Sequence, residues 1–98
     1  MQLKWTDLAA ADLDHIEEFI SAANSPVIAI DAVLRIIDTV ALVLIDHPEA
    51  GRLGRVKGTR ELVIDDLPFV VVYRQVNLLS QVQILRVLHE AQQWPTET

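Results

Sequence analysis

The sequence predicts an α+β fold: an N-terminal antiparallel helix hairpin packed on a small antiparallel β-sheet. Three observations predict it. Apolar residues recur at helical spacing through the first half, whereas the second half holds short valine-rich runs divided by polar turns. Charge divides at the same place. Met1 to Ala50 carries two basic and nine acidic residues; Gly51 to His89 carries six of the eight basic residues against three acids.

Gln2 to Trp5 is short enough to be either an edge strand or a lead-in. Thr6 offers a hydroxyl cap, with Asp7 in the first turn where the helix dipole favours a carboxylate. Ala9, Leu13, Ile16 and Ile20, with Phe19 beside them, make one apolar face, and Asp14, Glu17 and Glu18 form a solvated one. Asn24-Ser25-Pro26 stops this helix and caps a second, from about Pro26 to Asp46, because proline at the first helical position loses no needed donor. Asp31, Arg35 and Asp38 form its one polar stripe. A helix otherwise so apolar has to bury surface against its neighbour helix, a partner chain, or both.

His47-Pro48 ends the hairpin. Glu49 to Gly58 reads as a loop whose three glycines serve turn geometry, since no helix start and no GK[ST] follows them. Arg60 to Ile64, Phe69 to Val76 and Gln81 to His89 read as strands joined by short turns, giving an antiparallel meander. Glu90 to Thr98 is a polar tail tied down by Trp94, with Pro95 opposing a helix. The chain is thus one domain, 1–98, with the hairpin at about 6–46, basic loop and sheet at about 51–89, and the tail at 90–98.

Composition narrows the function classes. At 98 residues and 51% hydrophobic, with a mean hydropathy of +0.28, the chain is too apolar to be disordered. The absence of cysteine removes disulfides, thiolate zinc sites and thiol nucleophiles. No signal-peptide core is present, and Asp31, Arg35 and Asp38 interrupt the most apolar stretch, so a cytoplasmic protein is expected. Three histidines without HxxxH spacing give no metal site, and nothing in the chain requires a cofactor. A formal net charge of −6 opposes strong non-specific binding to a polyanion.

The run Gly51–Leu62 (GRLGRVKGTREL), the strand ending VVYR at Val71–Arg74, and ILRVLHEAQQWP at Ile84–Pro95 resemble the C-terminal half of the ParE/RelE superfamily of bacterial toxins. The opening KWTDLAAADLDHIEEFI, Lys4–Ile20, is similar to the family's start. The resemblance implies a type II toxin held inactive by a cognate antitoxin. The apolar excess in the helices and the exposed sheet edges make the isolated chain prone to self-association, so a homodimer or a toxin-antitoxin hetero-oligomer is the expected assembly. Its ParE branch blocks DNA gyrase; its RelE branch cleaves mRNA on the ribosome, using basic side chains to stabilise phosphorane-like charge. A third class is a non-toxic module that retains only antitoxin binding.

Arg60, Arg86 and His89 are the candidate catalytic residues if the chain is RelE-like. Arg52, Arg55, Lys57, Arg60, Arg74 and Arg86 are the candidate target-binding residues. Where RelE-type sequences carry an arginine before the tyrosine of the middle strand, this chain has Val70 and Val71, which removes a phosphate clamp. Strict alternation also places Arg86 and His89 on opposite sheet faces unless a bulge intervenes. Structural alternatives stand beside these roles: Arg60 and Arg74 pairing with Glu61, Asp65 or Asp66 across the first hairpin, Arg86 solvated or paired with a carboxylate, His89 bonding backbone, and Trp5 and Trp94 as anchors at the ends of the core rather than base-stacking platforms. Valine in the middle strand and overall acidity favour the gyrase-blocking branch.

Overall fold

The computed structural model describes residues 1–92 and Trp94. The elements run β1 (Gln2–Trp5), α1 (Asp7–Ala23), α2 (Pro26–Leu44), β2 (Arg52–Leu53), β3 (Arg60–Val63), β4 (Phe69–Val76), a single 3₁₀ turn (Asn77–Leu79) and β5 (Gln81–His89). Two helices therefore follow β1, precede the other four strands and pack on the sheet, as the spacing predicts for the hairpin. The expectation for Pro95 and the end of the tail lies outside the described residues.

The caps form as their chemistry dictates. Thr6 Oγ1 accepts from the Ala9 N–H at 3.2 Å and donates to the Ile84 carbonyl at 2.7 Å, so one hydroxyl starts α1 and ties it to β5. Ser25 Oγ accepts from the Ile28 N–H at 3.3 Å, with Pro26 as the first helical residue. α2 ends at Leu44, two residues before the expected Asp46. Its hydrogen-bond pattern runs one turn further, His47 N–H to Val43 carbonyl at 2.8 Å, before Pro48 stops it.

The sheet is larger than the predicted meander. Its strand order is β1-β5-β4-β3-β2, with β3, β4 and β5 antiparallel. β2 adds an antiparallel pair inside the basic loop, and β1 runs parallel to β5, pairing Gln2 with Gln81 and Trp5 with Ile84. The sheet is accordingly mixed. A crossover long enough to hold both helices is what permits the parallel pairing.

The core lies between the hairpin and one sheet face. Ala9, Leu13 and Ile16 of α1 and Ile36, Val40 and Leu44 of α2 meet Phe69, Val71, Tyr73, Val82, Ile84 and Val87. Each such large aliphatic side chain contributes about 1.5–3 kcal/mol on burial. Register pairs Val72 with Arg86 but Tyr73 with Ile84, so Leu85 is an extra residue and β5 is bulged there. Beyond β1, the last residues of β5 form a sheet margin, and the bulge falls where that margin begins. No helix among the described residues is long and apolar enough to cross a membrane.

Candidate functional site

Arg86 sits at this margin and reaches α1. Its Nε donates to Asp12 Oδ2 at 2.8 Å and its Nη2 to Asp12 Oδ1 at 3.0 Å, a two-pronged pair, while Asp12 Oδ2 also accepts from the Val87 N–H at 2.9 Å. Asp12 is buried because it lies on the same helical face as Ala9, Leu13 and Ile16. The hydrogen bond from Arg86 to Asp12 raises the guanidinium's pKa; burial lowers it by less, and the nearby negative charge adds to the rise. Arg86 is a fixed cation whose hydrogen bonds are directed inward. The Trp94 ring lies 6.0 Å from its Cζ, consistent with the tail being anchored there.

The basic loop is organised by a second buried carboxylate. Glu61 of β3 is only 1% exposed. Its Oε1 accepts from Arg52 Nη2 at 3.1 Å, and its Oε2 accepts from the Arg55 backbone N–H at 3.0 Å and from Arg55 Nε at 3.4 Å. Burial alone would raise the Glu61 pKa. The Arg55 backbone N–H, then the Arg55 and Arg52 side chains, outweigh burial and hold it below the ordinary carboxylate value. The arginine side chains remain 60% and 47% exposed, so one carboxylate fixes two cations that face solvent. Lys57 is exposed and has no ion-pair partner among the described residues.

Both ends of the loop are fastened. The Tyr73 hydroxyl donates to the Pro48 carbonyl at 2.7 Å and accepts from the Gly51 N–H at 2.8 Å; burial raises its pKa, so it stays protonated. A Cβ on Gly51 would lie 2.7 Å from that hydroxyl, which requires glycine here. At the other end Gly54 N–H donates to the Thr59 carbonyl at 2.8 Å, and Gly58 turns the chain with φ of +84°.

The three candidate catalytic residues are placed as follows. Arg60 donates to the Gly51 carbonyl at 2.8 Å and the Glu49 carbonyl at 3.3 Å, so it holds the loop backbone. Its strand lies two places from β5, roughly 9–10 Å across the sheet. His89 stacks edge-on against Phe69, ring centroids 5.9 Å apart, and its Nδ1 accepts from the Ala91 N–H at 3.1 Å. Arg86 and His89 do line one half-open groove of about 450 Å³, with Asp12, His15, Phe19 and Phe69. Arg60 is not part of it. Among the described residues no group of three or more histidine, cysteine or acidic side chains is arranged to hold a metal.

Arg74 is exposed and bonds Gln83 Oε1 of β5 at 2.7 Å, not an acid of the first hairpin. Arg35 instead reaches Asp66 at 3.8 Å. Asp12 and Glu61, the carboxylates that organise the two arginine clusters, were not singled out as functional from the sequence. Asp12 has a legible signal, its place three residues after Ala9 and four before Ile16; Glu61 in a four-residue strand has none.

The comparisons with known proteins agree with this geometry. Residues 3–94 match the family model described as "ParE toxin of type II toxin-antitoxin system, parDE". A protein of Sinorhizobium fredii named "Putative toxin Y4kP" is 40% identical over 94 residues, covering 96% of this chain and 93% of that protein. A solved structure described as "Chromosomal ParDE TA system from P. aeruginosa" superposes with a TM-score of 0.82 at 37% identity, over 91% of this chain and 95% of that one. Family match, identity and fold together place this chain in the ParE family of type II toxin-antitoxin toxins.

Proposed function

We propose that the chain acts in the cytoplasm by blocking DNA gyrase, and that a cognate antitoxin neutralises it. The observation that carries the choice of target is the placement of the basic side chains. Arg86 is bound to Asp12 and Arg60 to loop carbonyls, so neither is poised to clamp a phosphate, and Val70 and Val71 stand where a nuclease of the RelE type has an arginine. Metal-free RNA cleavage needs a cation and a proton donor on the same phosphate.

The displayed cations are elsewhere. Arg52, Arg55 and Lys57 project from one loop held by Glu61, with Arg74 exposed on β4. Such a surface suits recognition of an acidic protein surface, where rim charges govern encounter and register. An antitoxin segment would dock as a helix or an added strand. For strand addition the outer edge of β1 is the better candidate. Three outward groups of β5 past β1 are already used: Val87 N–H by Asp12, His89 N–H by Gln92 and the Leu85 carbonyl by Thr6.

A supercoiling assay with purified gyrase, run beside ribosome-dependent mRNA cleavage, tests the proposal. Inhibition of supercoiling without cleavage is expected. Cleavage by the wild-type chain, abolished by Arg86→Ala with folding intact, would assign it to the RNA-cleaving branch. Inactivity in both assays, with antitoxin binding retained, would make it a non-toxic binding module.

A further inference from the structure

Asp12, His15, Ile16 and Phe19 recur along α1 at steps of three, one and three, so they share one side of the helix, and that side lines the half-open groove of about 450 Å³. The sheet supplies Phe69, Arg86 and His89 to the same groove. Phe19 is 71% exposed although Asp12 and Ile16, on its side of the helix, are buried. Phe69 is buried and meets His89 edge-on. The helix and the sheet thus each bring one phenylalanine ring. A half-open cavity of this volume is in the range of small-ligand sites.

The polar side chains of the groove hold donors in reserve. Arg86 spends Nε and Nη2 on Asp12, and its Nη1 bonds nothing among the described residues. His89 Nδ1 accepts from the Ala91 N–H, which puts the ring proton on Nε2. Gln92 Oε1 accepts from the His89 N–H at 2.7 Å, which leaves the amide NH₂ to donate. His15 is exposed and adds a further ring N–H. Acceptors are already taken: Asp12, the one carboxylate lining the groove among the described residues, uses both oxygens on Arg86 and the Val87 N–H. Donors without free acceptors, beside two aromatic rings, match a ligand with an anionic end and a flat apolar body. Asp12 balances the Arg86 charge, so the groove offers hydrogen bonds and little net charge. A singly charged carboxylate suits it, whereas a doubly charged phosphate would bring a second charge with no counter-ion.

We infer that the groove between α1 and the end of β5 binds a small free aromatic carboxylate. The acid group is held by the N–H groups of Arg86, His15, His89 and Gln92, and the ring by Phe19 and Phe69. The inference is independent of the proposed target, because the groove does not include the basic loop.

Titration of the isotope-labelled full chain with benzoate, phenylacetate and naphthoate, followed by NMR, tests it. At least one of these acids is expected to saturate with a Kd of about 1 mM or below, to shift the signals of Phe19, His89 and Gln92, and to raise the melting temperature by mass action. Phenylacetamide keeps the ring and loses the charge, and it should bind at least about tenfold more weakly than phenylacetate. Phenyl phosphate should bind no more tightly than the acids. Phe19→Ala, at an exposed position, should weaken binding by about fivefold with the fold intact by far-UV circular dichroism. His15→Leu should weaken the acid more than the amide. Failure of all three acids to saturate would overturn the inference, as would shifts scattered outside the groove, an amide that binds as well as its acid, or indifference to Phe19→Ala. Tighter binding of phenyl phosphate would overturn the choice of a carboxylate. Binding only of a peptide that ends in a phenylalanine carboxylate, with none of the free acids, would assign the groove to a polypeptide end and overturn it equally.

Discussion

Two carboxylates hold arginines in this molecule, and they do it with opposite consequences. Asp12 takes one arginine, Arg86, in a two-pronged pair at the junction of α1 and β5, and the two charges cancel in a partly buried place. Glu61 takes two, Arg52 and Arg55, and with Lys57 nearby the loop still carries a formal surplus of two positive charges. The first arrangement converts a cation into a structural joint. The second uses buried negative charge to aim positive charge at solvent. Counting basic residues along the chain does not separate these roles; the carboxylate each one meets does.

The largest effect is expected at the joint. Asp12→Ala strands the Arg86 guanidinium and the buried Val87 N–H together; loss of one partner of a fully buried pair costs about 3–5 kcal/mol, and the partial exposure of Arg86 sets the expected loss at the lower end of that range. Urea unfolding should show a correspondingly lower midpoint. A change within about 0.5 kcal/mol, the range of ordinary surface substitutions, would show that the joint carries little stability.

A smaller loss is expected where the loop is fastened. Tyr73→Phe removes both the donor to Pro48 and the acceptor for the Gly51 N–H, and a buried donor left without a partner costs about 1–3 kcal/mol. The same variant should leave the Asp12–Arg86 joint intact. Thermal melts of the single and double variants with Asp12→Ala should therefore be nearly additive, since no hydrogen bond is shared.

How much of this was legible in the sequence follows from the range of the interactions. The caps at Thr6 and Ser25, the Ala9, Leu13 and Ile16 face and the valine-rich β4 are local, and local pattern finds them. β1 is four residues long, and its partner lies almost eighty residues away, so nothing in Gln2 to Trp5 specifies a parallel edge strand. Asp12 looks like one acid among Asp7 and Asp14 until the helix is drawn, and then it stands on the buried face. Glu61 acquires its role only when the loop returns over β3. The bulge at Leu85 and the reach of Arg86 around the sheet margin depend on where β1 stops, which is likewise a long-range fact.

Acid should discriminate between wild type and Glu61→Gln. The Glu61 pKa is depressed in the folded chain, so its contribution to stability is present above the ordinary carboxylate value of about 4.5 and is lost as pH falls through the lower folded value. Chemical unfolding from pH 7 downward should show a smaller acid-induced loss in Glu61→Gln than in the wild type. Equal slopes would mean that the carboxylate is not held by its arginines in solution. The smallest effect is expected at Arg74→Ala, which removes one exposed bond to Gln83 and should change stability by less than about 0.5 kcal/mol.

The distinction between displayed and structural cations is tested most directly by gyrase inhibition in a variant that keeps the carboxylate occupied. Arg52→Gln with Lys57→Glu removes three units of positive charge from the loop while leaving the Arg55 contacts to Glu61 in place. Its melting temperature should stay near that of the wild type, and the concentration needed for half-inhibition of supercoiling should rise by at least about tenfold, the scale of a lost interface anchor. Unchanged inhibition by this variant would contradict the proposal that the loop is the surface that meets gyrase.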